Sequence, residues 1–314
     1  MNKKQKLLLI GSSGFLGKNI KKIFHKEGYN ELYEIFEIDG KSTLDITIEK
    51  DLDTYIKENQ ITHIINSAAY VGGIAFGYSN PADLLSKNLN MAHVLYKVAH
   101  ENNIDILINP ISNCAYPASK NQYKESIFWD GPPHESVFNY GFSKRAFVAL
   151  GNAYFSQHQV NSANVVLSNM YGPDDHFEEV RSHALGALIS KIYNAKQNKN
   201  KEVTIWGDGT PIREWLFIED GARALLQSLK LKGGSHFFNV GVNKGISIND
   251  LAKIIAKYFD WNGSFVYDKT KPNGVLEKTV VDLMSKKLIN WEAKMDLDTG
   301  IKQTVNWYIK SQND

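Results

Sequence analysis

The stretch "KLLLIGSSGFLGKNI", residues 6–20, constrains the fold more than any other part of the chain. Four apolar residues, Leu7 to Ile10, run straight into a turn that carries Gly11, Gly14 and Gly17. An amphipathic stretch follows at once, so a buried strand must bend directly into a helix. Glycines at such a bend permit a tight turn and close backbone approach, which is how a βαβ unit opens. The rhythm then repeats. Apolar runs at "YEIFEID" (33–39), "THIINSAA" (62–69), "DILINPIS" (105–112) and "ANVVLSN" (163–169) alternate with helical patterns over about 15–27, 49–58, 81–102 and 137–157. The expected architecture is α/β, a doubly wound parallel (Rossmann) sheet with helices on both faces. Beyond Tyr171 short strand candidates mix with helices, which predicts a smaller, interleaved α+β substrate domain. The expected division gives 1–170 with about 212–242 to the dinucleotide-binding domain, and about 171–211 with 243–314 to the substrate domain.

The glycine turn implies a dinucleotide. Backbone N–H groups around Gly11, Ser13, Gly14, Phe15, Leu16 and Gly17 would meet a pyrophosphate at a helix N-terminus. Asp39 ends the second strand, 22 residues after Gly17. An acid there suits a ribose 2′-hydroxyl and repels a 2′-phosphate, which favours NAD(H). Lys41 argues the other way, because it could reach such a phosphate. The structural alternative is a plain turn, with Asp39 opening it beside Gly40. "NYGFSKRAF" adds Tyr140 and Lys144, an i, i+4 pair sharing one helix face. A cation near a phenol favours the phenolate, and lysine can also hold a ribose, so the pair suits acid–base work beside a coenzyme. Ser112, at the end of the fourth strand, completes an oxidoreductase-type set.

Composition narrows the partners. Lys and Arg total 36 against 34 acids, a formal charge of +2, which is no nucleic-acid footprint. The apolar run before Gly11 is too short for a signal peptide, and no stretch approaches a membrane span, so a cytoplasmic protein is expected. The histidines have no metal-ligand grouping, and "DDH" at 174–176 is expected to be a loop; no metal is predicted. Cys114 is the only cysteine, set in the polar, proline-bounded "SNCAYP" (112–117).

With these motifs in place the chain resembles the extended short-chain dehydrogenase/reductases, and among them the GDP-L-fucose synthase family of GDP-4-keto-6-deoxymannose epimerase/reductases. The resemblance rests on "AAYVGGI" (68–74), "SNCAYP", "NMYGPDDHF" (169–177), "RSHALGALISK" (181–191), "IWGDGTPIREWLFIED" (205–220), "FNVGVNKGISINDLA" (238–252) and "KPNGVLEKTVVD" (271–282), which occur in that family's order. It implies NADP(H) as coenzyme, a GDP-sugar substrate, a homodimer formed through the helices near 81–102 and 137–157, and Ala68 and Ala69 at the coenzyme. It also implies that Cys114 and His183 exchange protons at sugar carbons flanking a 4-ketone, that Tyr140 protonates the reduced C4 oxygen, and that Ser112 binds that oxygen. A 4-ketone acidifies C3 and C5, and inversion needs a base on one face and an acid on the other. Asn169, Lys191, Trp206, Arg213 and Lys278 match positions near the sugar, nucleotide or diphosphate. Departures from the family pattern are Ser12 and Ser13 where a basic residue is usual, Asn113 for serine, Tyr70 for lysine, Gly186 for proline and Lys191 for arginine. The competing readings are a C4 reductase without epimerase activity, a redox-neutral NDP-sugar 4-epimerase holding NAD, and a non-enzymatic dinucleotide sensor. An intact Ser112, Tyr140 and Lys144 weighs against the sensor.

Overall fold

The computed structural model describes residues 4–178, 182–271 and 275–313. Arg181 of the "RSHALGALISK" stretch and the "PNG" of "KPNGVLEKTVVD" lie outside the described residues. The chain begins β1 (Gln5–Ile10), α1 (Phe15–Lys26), β2 (Tyr33–Ile38), α2 (Glu49–Asn59), β3 (His63–Asn66), α3 (Ile74–Ser79), α4 (Pro81–Glu101) and β4 (Ile106–Ser112). It continues through β5 (Gln122–Tyr123), α5 (Phe138–His158), β6 (Ser162–Leu167), β7 (Asn169–Tyr171), α6 (Ala184–Gln197), β8 (Glu202–Trp206) and β9 (Ile212–Phe217). It closes with α7 (Ile218–Gln227), β10 (Ser235–Val240), β11 (Gly245–Ser247), α8 (Ile248–Phe259), β12 (Ser264–Asp268), β13 (Glu277–Val280), α9 (Ser285–Ile289) and α10 (Leu297–Ser311).

Six strands form one parallel sheet in the order β10-β6-β4-β3-β1-β2. Its central strands are buried on both faces, which is why they are near-continuous apolar runs; every residue of β6 is buried. On one face α4 and α5 cover it with Leu95, Tyr96, Phe147 and Val148. On the other, α1 and α7 contribute Ile20, Phe24 and Leu225. Strand addition reverses direction between β1 and β3, so the carboxyl ends of these two strands flank the crevice where such sheets bind ligands.

The second half of the fold has its own sheet, ordered β11-β9-β13-β5, with β7 also pairing β9, and a separate β12–β8 pair. Ile189 of α6, Leu251 of α8 and Val305 of α10 build its core with Trp215 and Phe217 of β9. The 212–242 stretch is therefore shared: β9 pairs with β7, β11 and β13, whereas β10 takes the edge of the large sheet beside β6. No helix among the described residues is long and apolar enough to cross a membrane.

Candidate active site

The glycine turn has room for nothing larger than glycine at two positions. Gly11 has φ +77°, and a Cβ there would lie 2.8 Å from the Ala68 nitrogen. A Cβ on Gly17 would fall 2.1 Å from the Gly11 carbonyl oxygen. Gly14 is the N-cap of α1 and supplies no side-chain cap, and no acid occupies the first turn. The first N–H groups of α1 are thus left for a ligand. The Ser12 hydroxyl is buried with no partner among the described residues. Ser67 pins the end of β3 to β1 by donating to the Ile10 carbonyl at 2.6 Å. Buried Asn88 of α4 exchanges hydrogen bonds with the backbone of Tyr70, which sets the Ala68–Ala69 segment beside the turn. Phe15 and Leu16 open α1 with partly and fully buried side chains. A small cradle, free helix N–H groups and an unpaired hydroxyl suit a dinucleotide.

At the end of β2, Ser13 donates to the Asp39 carbonyl at 2.7 Å, and the Asp39 carboxylate accepts from the Thr43 hydroxyl. Lys41 does not turn toward this pair. It reaches Asp45 at 2.7 Å, and that contact holds the Asp45 carboxyl down at about 2.

Tyr140 and Lys144 occupy one face of α5, with the ammonium 5.7 Å from the centre of the phenol ring. Lys144 donates to the Pro110 carbonyl at 3.1 Å, and the next residue, Arg145, donates to the Ala115 carbonyl at 2.7 Å. These two bonds bracket the turn that carries Ser112 and Cys114. Within it the Ser112 hydroxyl accepts from the Cys114 N–H at 3.2 Å and caps a single 3-10 turn, Asn113–Ala115. Gly141 lets the helix lie on that turn, since a Cβ would sit 2.5 Å from the Cys114 carbonyl oxygen. Phenol, hydroxyl and thiol therefore ride on one block.

Burial decides the electrostatics of this block. It pushes the Tyr140 phenol above its ordinary value, and the nearby Cys114 sulfur adds to the effect. It also lowers Lys144 to about 8. The expectation that the lysine charge favours the phenolate is thus corrected, because loss of hydration outweighs a cation that donates to Pro110. Tyr140 stays protonated near neutrality, which makes it a proton donor.

The facing side is assembled from distant segments. Asn169 of β7 donates to the Glu214 carbonyl at 2.8 Å and accepts from Asn113 at 3.4 Å, tying the thiol turn to the second sheet. Arg213 of β9 and Lys278 of β13 are register partners on adjacent parallel strands, so their side chains leave the same face. Burial lowers Arg213, against the opposing pull of Tyr123 and Cys114. Trp206 is 56% exposed, with Lys191 at 5.5 Å and Lys271 at 5.4 Å from its ring centre. His183 is the N-cap of α6 and open to solvent, yet the surrounding protein, then His176 and Lys278, disfavour its imidazolium. No described hydrogen bond joins it to Cys114. Gly141 and Glu214 are site-building residues with no role expected from the sequence, and Asn113, expected only as a departure from the family pattern, ties the thiol turn to Asn169. For Glu214 a signal existed: an acid beside Arg213, directly before the apolar run "WLF" in a strand candidate.

The profile of the NAD dependent epimerase/dehydratase family matches residues 7–241. The chain belongs to this family. It is 33% identical over 313 residues to the GDP-L-colitose synthase of Yersinia pseudotuberculosis, covering 98% of this chain and 99% of that protein. It is 29% identical over 311 residues to GDP-L-fucose synthase 1 of Arabidopsis thaliana, covering 99% and 95%. Among solved structures, the GDP-L-fucose synthetase of Naegleria fowleri bound to NADP superposes with a TM-score of 0.88 at 25% identity, over 100% of this chain and 95% of that one. The parallel sheet with helices on both faces is common to both folds.

Proposed function

We propose that this family member is a nucleotide-sugar oxidoreductase that reduces C4 of a GDP-4-keto-6-deoxy-sugar and inverts C3 and C5 beforehand. The observation that carries the reading is the single block formed by Ser112, Cys114 and Tyr140, with Lys144 and Arg145 gripping it from either side. The names of the relatives, GDP-L-fucose and GDP-L-colitose synthases, support the substrate class. The NADP-bound relative supports NADP(H) as coenzyme, held by the turn from Gly11 to Gly17, while Asp39 continues to favour NAD(H).

A bound nicotinamide would supply a hydride to C4. Ser112 orients the carbonyl oxygen by hydrogen bonding, and Tyr140, kept as a neutral phenol, gives that oxygen its proton. Lys144 fixes the far end of the block and can hold a ribose hydroxyl. Before reduction, Cys114 and His183 act on opposite faces of the sugar; one removes the proton at C3 or C5 and the other returns one, so the carbon is inverted with no net gain or loss. A lowered imidazole pKa keeps His183 neutral at pH 7 and able to accept a proton. Arg213 and Lys278 hold the diphosphate, Trp206 with Lys191 walls the nucleotide, and Asn169 meets the sugar. We further propose a homodimer in the cytoplasm; the dimer is supported by Phe138, Phe142, Ala149 and Ala153, which leave an exposed apolar stripe along α5.

The test is GDP-4-keto-6-deoxymannose with NADPH or NADH in D₂O, with the product followed by mass and NMR. Deuterium at C3 and C5 with coenzyme consumption is the expected result. Consumption without ring deuterium would reduce the reading to C4 reduction alone. No consumption, with C4 inversion of a GDP-hexose, would replace it with a redox-neutral 4-epimerase.

A further inference from the structure

Glu214 is completely buried on β9, on the face of the strand opposite to its neighbours Arg213 and Trp215. Its side chain has no catalytic reach, yet it is among the most heavily engaged in the protein. One carboxylate oxygen accepts from the N–H groups of Val242 and, at 3.1 Å, Asn243, in the turn between β10 and β11. The other accepts from the Val280 N–H on β13 at 2.6 Å. The Glu214 carbonyl receives Asn169 at 2.8 Å and Ser168 at 3.4 Å. Gly241 leaves room for the carboxylate, since a Cβ there would stand 2.3 Å from its oxygen.

We infer that Glu214 is a positioning residue that sets the spacing of Arg213, Lys278 and Asn169, and through them the seat of the substrate's diphosphate. Arg213 is its chain neighbour, and Lys278 lies two residues before the Val280 it grips, in register with Arg213. Asn169 hangs on its carbonyl. Three residues from three strands thus refer to one anchor. Only a carboxylate fills the role. Two acceptor oxygens meet three N–H donors, whereas a glutamine would turn its own NH₂ toward one of them and release either β13 or the 242–243 turn. Released strands would let the two cations drift apart, and bidentate anion binding is sensitive to such drift. The inference rests on the nucleotide-sugar reading of Arg213 and Lys278.

The experiment measures binding of GDP, UDP and dTDP, and separately of NADPH, by calorimetry, for the wild type, Glu214→Gln and a control, Asp220→Asn. Asp220 is a comparable anchor remote from the cleft: it is buried on α7 and accepts from the Lys294 and Met295 N–H groups at 3.0 and 2.9 Å. Glu214→Gln is expected to weaken the preferred nucleoside diphosphate at least about tenfold while NADPH binding stays within about twofold. Asp220→Asn is expected to lower the melting temperature and leave both affinities within about twofold. Should Glu214→Gln fail to fold, Glu214→Asp, one methylene too short to span both anchors, is measured with the same expectation. Equal nucleotide affinity in the wild type and in the Glu214 variant overturns the inference alone. So does an equal loss in Asp220→Asn, because it would mark the effect as general destabilisation. A wild type that binds none of the three nucleotides overturns the nucleotide-sugar reading, and this inference with it.

Discussion

The two walls of the cleft are held together in different ways. On the coenzyme wall Gly11, Gly14 and Gly17 follow one another inside a single strand–turn–helix, and Tyr140 and Lys144 share one turn-and-a-bit of α5. Their geometry is local, fixed by backbone conformation and helix periodicity. On the proposed substrate wall Asn169, His183, Lys191, Trp206, Arg213 and Lys278 come from β7, α6, β8, β9 and β13 and the edge of one helix. Nothing local places them. A buried carboxylate, a register match between β9 and β13 and an Asn113–Asn169 contact do the work instead. A locally built wall tolerates loosening elsewhere; a wall assembled across strands depends on its anchors.

That contrast can be broken by substitution. The largest effect is expected from Tyr140→Phe, which removes the proton donor from the coenzyme wall. Turnover should fall roughly 10²–10⁴-fold with NADPH affinity kept, as read from coenzyme oxidation and binding titration. A normal rate would remove the phenol from the chemistry.

Lys144→Met probes the cost of burying charge on the same wall. The folded pKa of Lys144, about 8, lies below that of an unfolded lysine at roughly 10.4. At pH 7 both states are protonated, so the wild type carries the full burial cost and the variant should be the more stable by at most about 3 kcal/mol. As pH rises through about 8 the wild type loses the buried charge while its unfolded state keeps the proton, so the gap should close toward pH 10. Urea melts at pH 7 and 9.5 check both the sign and the narrowing; a gap that widens would contradict the assigned burial effect.

Gly17→Val sharpens the separation of the walls. Its side chain collides with the Gly11 carbonyl and should cost about 1–3 kcal/mol of stability and most NADPH affinity, yet spare GDP binding. Arg213→Met is its mirror image. GDP affinity should fall about tenfold while NADPH titrates as in the wild type. If either variant damages both ligands equally, the walls are not independent.

The same contrast explains what the sequence could tell. The β1 turn, the i, i+4 dyad and the long helices carry their own local signals, and α4 and α5 fall within a residue of the expected 81–102 and 137–157. Ile212–Phe217 carries no mark of its partners: a short strand of mixed charged and apolar residues fits either sheet, and Trp215 and Phe217 packing against α6, α8 and α10 decides for the second. Gly141 was invisible for the opposite reason. A glycine after a tyrosine inside a helix signals only weak propensity, and its use appears when the Cys114 carbonyl is found against it. The lysine–tyrosine electrostatics were misjudged because residue spacing carries no information on hydration.

The mounting of Cys114 separates two chemistries. The turn is pinned by main-chain carbonyls at Pro110 and Ala115 and by the hydroxyl of Ser112, while the cysteine side chain takes no part in that fastening. Another small side chain can therefore replace the thiol and leave Ser112 and Tyr140 where they stand. On the proposed reading, inversion hangs on a side chain that the fastening of the turn does not use, so product handedness can change while the reducing site stays in place.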